Sequence, residues 1–149
     1  MYKSTQIANV FLQFAKEEDQ QLKVMKLLKL VYIAHGYFLG HVKKPLIKDR
    51  IEAWQYGPVI PNLYHEIRAF KGDPIPLDQF IKEEKVDEVV MGFLRIVWKH
   101  YKKFTGIQLS DKTHEKGTPW DEAYNHGVRY IEIENERIQY YYENALTPK

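Results

Sequence analysis

The sequence predicts a mainly α fold: a single compact helical domain over residues 1–149, of about six or seven helices with a small two-stranded β element. Three observations carry that expectation. Apolar residues recur at steps of three and four over most of the chain, which is the period of an amphipathic helix. Short runs with strand character, bounded by turn residues, occur only at residues 51–55 and 130–133. The breaks between helical runs carry the proline, glycine, threonine and acidic residues that start and stop helices.

The first helix begins near Ser4 or Thr5, with Ile7, Val10, Phe11, Phe14 and Ala15 on its inner face. Asp19 is the expected cap of the second helix, whose apolar positions are Val24, Leu27, Leu28, Val31, Ala34 and Phe38. Gly40 is its expected stop, because a left-handed residue there costs glycine nothing. A polar loop over residues 41–48 leads to the first strand, and Gly57-Pro58 is read as a turn. Pro61 fits the first turn of a third helix, where a missing N–H is no loss, with Leu63, Ile67 and Phe70 inward. Gly72, Pro74 and Pro76 make an extended connector, and the charged run 82–85 approaches the next helix. That helix covers residues 86–104, with Val86, Val90, Phe93, Val97, Tyr101 and Phe104 on one side. Thr105 and Gln108 form a capping box for a short helix that closes by Gly117. Thr118, Pro119 and Asp121 open another, residues 130–133 pair with 51–55, and residues 135–145 close the chain as a helix.

With 149 residues the chain is long enough to bury a core without staples. Apolar content of 44% and charged content of 28% are those of an ordinary globular protein. No apolar run approaches the ~20 residues that span a bilayer, and the N-terminus lacks a cleavable signal pattern. Cysteine is absent, which removes disulfides, thiolate catalysis and cysteine-ligated zinc and agrees with a cytoplasmic setting. The net charge of +2 does not by itself imply a nucleic-acid partner. Lys23, Lys26 and Lys29 form a skewed band beside the apolar face of the second helix, read as a solvated face or as phosphate contacts.

No constellation supports catalysis. His65-Glu66 starts like a zinc-protease motif, but Ala69 stands where the second histidine belongs. Ser110, Asp111 and His114 hold the residue types of a hydrolytic triad, yet on one short helix they cannot take up its order of contacts. Adjacent Glu83 and Glu84 diverge on a helix, and the glycines are too dispersed to cradle a phosphate. His35 and His100 are lone histidines that satisfy local hydrogen bonds at the core edge or surface. Neither catalytic residues, nor a metal, nor a cofactor are expected.

Aromatic residues are the real excess, with eleven tyrosines, seven phenylalanines and three tryptophans. Most serve as core fillers; some suit an interface. Two prolines and a glycine pre-set the backbone of residues 54–61, so little ordering entropy is lost if that turn binds a partner. Trp54 is either a core plug or an anchor. His114 at a helix C-terminus can bond orphan carbonyls over Trp120, forming a structural corner or a partner-facing one.

The run from Leu27 to Glu66, with Trp54-Gln55-Tyr56-Gly57-Pro58 followed by Pro61 and Tyr64-His65-Glu66, resembles the Panacea domain. Leu109-Ser110, Thr113-His114 and Thr118-Pro119-Trp120 fit the same family at the same spacing, so the resemblance covers nearly the whole chain. Panacea domains are SocA-like antitoxin modules, phage-associated and long described only as a domain of unknown function. The resemblance implies an antitoxin that neutralises a partner toxin, usually encoded in an adjacent gene, by direct protein–protein binding. The alternative is a phage-associated adaptor or regulator that delivers a partner to a protease or acts at DNA. The candidate partner-binding residues are Trp54, Tyr56, Pro58, Pro61, Tyr64 and His65, with His114 and Trp120 second.

Overall fold

The computed structural model describes residues 1–124 and 130–145. Among these residues, the order of elements is α1 Ser4–Glu17, α2 Val24–Val42, β1 Glu52–Trp54, β2 Gly57–Val59 and α3 Pro61–Ile67. A single 3-10 turn, Arg68–Phe70, follows; then come α4 Glu88–Tyr101, α5 Gly106–Thr113, α6 Pro119–Tyr124, β3 Ile131–Glu132 and α7 Asn135–Ala145. The mainly helical architecture is the one expected, with one strand more. Gly57-Pro58 is not the turn but part of β2, and Gln55-Tyr56 turns the chain instead. The sheet order is β2-β1-β3, with both pairs antiparallel. Pro58 lies opposite Ala53, between the pairs Trp54–Gly57 and Glu52–Val59 that flank it. In an antiparallel hairpin with a two-residue loop, that position points its N and O away from the partner strand, so the missing N–H costs the ladder nothing.

α2 is the axis. It packs against α1, α3, α4, α5, α7 and β2, and most of its circumference is buried. Its boundaries differ from those expected. Asp19 does not cap it; Asp19 takes a φ of 54° in the reversal after α1, and α2 starts five residues later behind Lys23. Gly40 does not end it either, since the helix runs to Val42 and Lys43 supplies the left-handed residue at φ 66°. Gly36 and Gly40 serve the packing of α7. A Cβ on Gly36 would overlap the Tyr142 ring, and one on Gly40 would sit 2.9 Å from the Tyr142 backbone. Absence of a side chain at both sites lets two helix backbones meet closely.

The remaining helix ends follow ordinary capping. The Asp87 carboxylate accepts from the Val90 N–H at 2.9 Å, so α4 opens at Glu88 rather than at 86. Thr105 and Gln108 exchange the two bonds of a capping box, and the Thr118 hydroxyl accepts from the Asp121 N–H. The buried face of α4 is Val90, Leu94, Val97 and Trp98, whereas Phe93 and Tyr101 are half-buried. Trp98 is the largest fully buried side chain; its ring lies 6.3 Å from those of Phe11 and Phe14, and its Nε1 donates to Glu18. Phe93 packs edge-on against Phe38 at the rim. No helix among the described residues is long and apolar enough to cross a membrane.

His35 is fully buried in the middle of α2. The Ile47 N–H donates to its Nδ1 at 3.3 Å, which leaves Nε2 to carry the hydrogen and donate to Asn135 Oδ1 at 2.9 Å. A neutral ring satisfies both contacts, tying the segment after α2 to the first turn of α7. Burial pushes the imidazole down to about 4 from its ordinary 6.5, against a smaller upward pull from Asn135.

Two outcomes are expected. Trp98→Ala costs ~3–5 kcal/mol in urea unfolding, and Phe93→Ala less than half as much, because only the first empties a closed site; equal costs would contradict this placement. His35 has a folded pKa below its unfolded one, so its contribution is complete above pH 6.5 and is lost as pH falls toward 4, by up to ~3 kcal/mol. Long-range proton–nitrogen spectra at pH 6 are expected to show the neutral Nε2–H tautomer; an imidazolium there would contradict it.

Candidate functional site

The β1–β2 hairpin projects over the ends of three helices, and its alternate carbonyls are each held by a different one. Trp120 Nε1 from α6 donates to the Trp54 carbonyl. Ser110 Oγ from α5 donates to the Tyr56 carbonyl at 2.8 Å. Lys29 Nζ from α2 donates to the Pro58 carbonyl at 2.8 Å. Trp54 ends β1, Tyr56 lies in the turn and Pro58 lies in β2, so the three carbonyls are spread around the hairpin and each is met by a different helix. Gly57 makes the approach of the lysine possible: at a φ of 118° it bears no side chain, and a Cβ there would lie 2.8 Å from Lys29 Nζ.

This geometry corrects the reading of the lysine band at Lys29 and in part at Lys26, whereas Lys23 is exposed. Lys29 is 3% exposed, neither solvated nor free to reach a phosphate. Burial pushes its ammonium from 10.5 down to about 7. Lys26 is also lowered by burial, and its Nζ donates to the Lys102 carbonyl at 2.6 Å. His35 is likewise a core residue rather than an edge one.

The two sequence patches come together here. Trp54 is half-buried, with Tyr64 and Tyr130 edge-on to it at 5.2 and 5.3 Å, and its Nε1 donates to Glu52. Tyr56 stands at the hairpin tip and is 65% exposed. Pro61 begins α3, Tyr64 is half-buried on it, and His65 is exposed beside Tyr64. Pro58 and Trp120 are buried and lie behind this surface. His114 is the C-cap of α5; its Nδ1 donates to the Ser110 carbonyl and its ring stands edge-on to Trp120 at 5.2 Å. His114 meets the carbonyl of Ser110 while the serine hydroxyl is engaged with Tyr56, so these groups are not linked as a proton relay. Trp120 stacks on Tyr124, and Ala53, Trp54, Gln55, Tyr124 and Tyr130 line a notch of about 150 Å³ beside the hairpin. Among the described residues, no three His, Asp or Glu side chains are grouped to hold a metal ion.

Sequence reasoning missed Lys29, Tyr124 and Tyr130. For Lys29 a signal existed, since it interrupts the run Leu27-Leu28-Lys29-Leu30-Val31, whose other members are all buried. Tyr124 joins the site only through the packing of α6, which no local pattern announces, whereas Tyr130 stands beside Trp54 next to the β1–β3 pairing that the strand-like runs suggested.

The lysine makes a pH-dependent prediction. Its folded pKa is depressed, so its contribution is complete above 10.5 and is lost as pH falls toward 7. Stability is therefore expected to rise by a few kcal/mol between pH 7 and 10, and Lys29→Met is expected to flatten that rise. An unchanged slope in the variant would show that the ammonium is not desolvated in the fold.

A family profile described as "Antitoxin SocA-like, Panacea domain" matches residues 27–121. That stretch contains the hairpin together with Lys29, Ser110 and Trp120. The chain is 30% identical over 125 residues to "Antitoxin SocA" of Caulobacter vibrioides (strain NA1000 / CB15N), a match covering 77% of this chain and 66% of that protein. The chain thus spans just under two thirds of the length of this curated relative. No solved structure matches it. With most of its length inside the profile, and with the profile enclosing the braced hairpin, the chain belongs to the SocA-like antitoxin family and carries its Panacea domain.

Proposed function

We propose that this protein is an antitoxin that binds a toxin encoded beside it and neutralises it by direct contact, without turnover, in the cytoplasm. The reading rests on the family and on one structural observation: an exposed tyrosine at the tip of a hairpin braced from behind at three carbonyls. A surface already held in one conformation loses little entropy on binding, and exposed aromatic rings are efficient anchors. Tyr56, Trp54, Tyr64 and His65 form the contact surface in this reading, while Pro61 sets the direction of α3. Pro58, His114 and Trp120 support that surface, because burial or half-burial keeps them behind it.

Co-expression with the product of the neighbouring gene is expected to rescue growth and yield a stable complex. Tyr56→Ala is expected to fold normally, since the ring is exposed, and to weaken that complex by ~2 kcal/mol, about thirtyfold. Unchanged affinity in both Tyr56→Ala and Tyr64→Ala would reduce the hairpin to a connector. If no neighbouring product binds and the protein retards a promoter fragment in a salt-dependent manner, the protein is a regulator instead.

A further inference from the structure

We propose that the outward face of α4 is a self-complementary surface through which the protein pairs with a second copy, two α4 helices lying antiparallel about a two-fold axis near Phe93. α4 is buried on only one side. On the other it presents Val89, 84% exposed, Ile96, 69% exposed, and half-buried Phe93. At 100° per residue these three lie within ~60° of one another on the helix, in a line about two turns long. Phe38 of α2 packs edge-on against Phe93, and exposed Val42 lies one turn farther along α2, which widens the apolar surface. Large side chains scattered singly on a surface need no explanation; a continuous row on one helix does.

Two features make a second copy the occupant that fits. The first is a notch. Gly92 lies on the same face, and a Cβ added there would meet nothing within 4 Å. With the axis between Phe93 and Leu94, midway between Glu88 and Lys99, antiparallel pairing brings Phe93 close to its own copy and sets Ile96 within ~1.5 Å along the helix of Gly92 of the other molecule. The second feature is charge. Glu88, in the first turn, and Lys99, in the last, fall on one flank of the row, ~20° apart around the helix and ~16 Å apart along it. Both are exposed, and neither has an ion-pair partner among the described residues. A two-fold axis between antiparallel helices places like flanks together, so Glu88 of each copy comes level with Lys99 of the other. The same arrangement puts the knob over the notch and each acid beside a base, which an isologous interface requires.

The test is sedimentation equilibrium of the full chain from about 1 to 500 µM, in low salt and in 0.5 M salt, with circular dichroism to confirm folding. A reversible dimer is expected. Ile96→Glu is expected to keep its helical spectrum, because the side chain is exposed, and to be monomeric throughout. Glu88→Lys and Lys99→Glu are each expected to weaken the dimer about tenfold, and the double exchange to restore it. That restoration discriminates the proposal, since only a surface in which these two positions face each other across the axis produces it. A monomer at every concentration, a dimer indifferent to Ile96→Glu, or single and double charge exchanges with equal effect would each overturn it.

Discussion

Lys29 stands in the second turn of α2 with its ammonium taken out of water and one carbonyl, that of Pro58, within bonding distance. Much of the candidate site depends on that contact. A buried ammonium is expensive unless something accepts from it, so the fold has to bring a strand carbonyl down to it. It does so with a hairpin whose second strand opens with a glycine in an unusual conformation and continues with a proline that needs no ladder bond. Ser110 and Trp120 then hold the carbonyls of Tyr56 in the turn and of Trp54 at the end of β1. Three side chains from α2, α5 and α6 thereby fix a segment that local propensity alone would leave as a turn.

The helices exist in positions that allow this because α2 accepts neighbours on nearly every side. Its glycines at 36 and 40 admit α7, and its histidine bonds both the loop that follows it and the start of α7. α1 and α4 close the opposite side around Trp98, whose indole reaches Glu18 at the end of α1. The polar groups buried along α2 thus hold both the packing and the hairpin. Replacing any of them with an apolar side chain of similar size would fill the space and leave a carbonyl or an N–H unmet, which is why such sites are costly to change.

Much of this was legible in the sequence because it rests on local rules. The capping box at Thr105, the cap at Thr118, the proline opening α3, and the pairing of residues 130–133 with 51–55 all depend on residues close together or on period-two alternation. What could not be read depends on distance. Gly40 looked like a helix stop because a glycine after an apolar run usually is one; here the helix continues, as α7 needs the space. Lys29 looked solvated because lysine usually is; the carbonyl that accepts from it lies twenty-nine residues away. The additional strand, β2, was hidden by Gly57-Pro58, a pair that normally signals a turn, and its placement becomes intelligible once Pro58 is seen opposite Ala53 with its carbonyl turned outward. The aromatic residues of the two patches were found, but their division into presenting and supporting groups follows only from burial.

The central claim is that the hairpin is braced in the free protein and presented as a finished surface to its partner. Hydrogen exchange of the backbone, followed by mass spectrometry with and without the product of the neighbouring gene, tests it most directly. The account predicts slow exchange across residues 52–59 in the free protein, opening together with α2 rather than independently, and added protection over residues 54–66 on complex formation. Fast, independent exchange of the hairpin in the free protein, or protection elsewhere on binding with residues 54–66 unchanged, would contradict it.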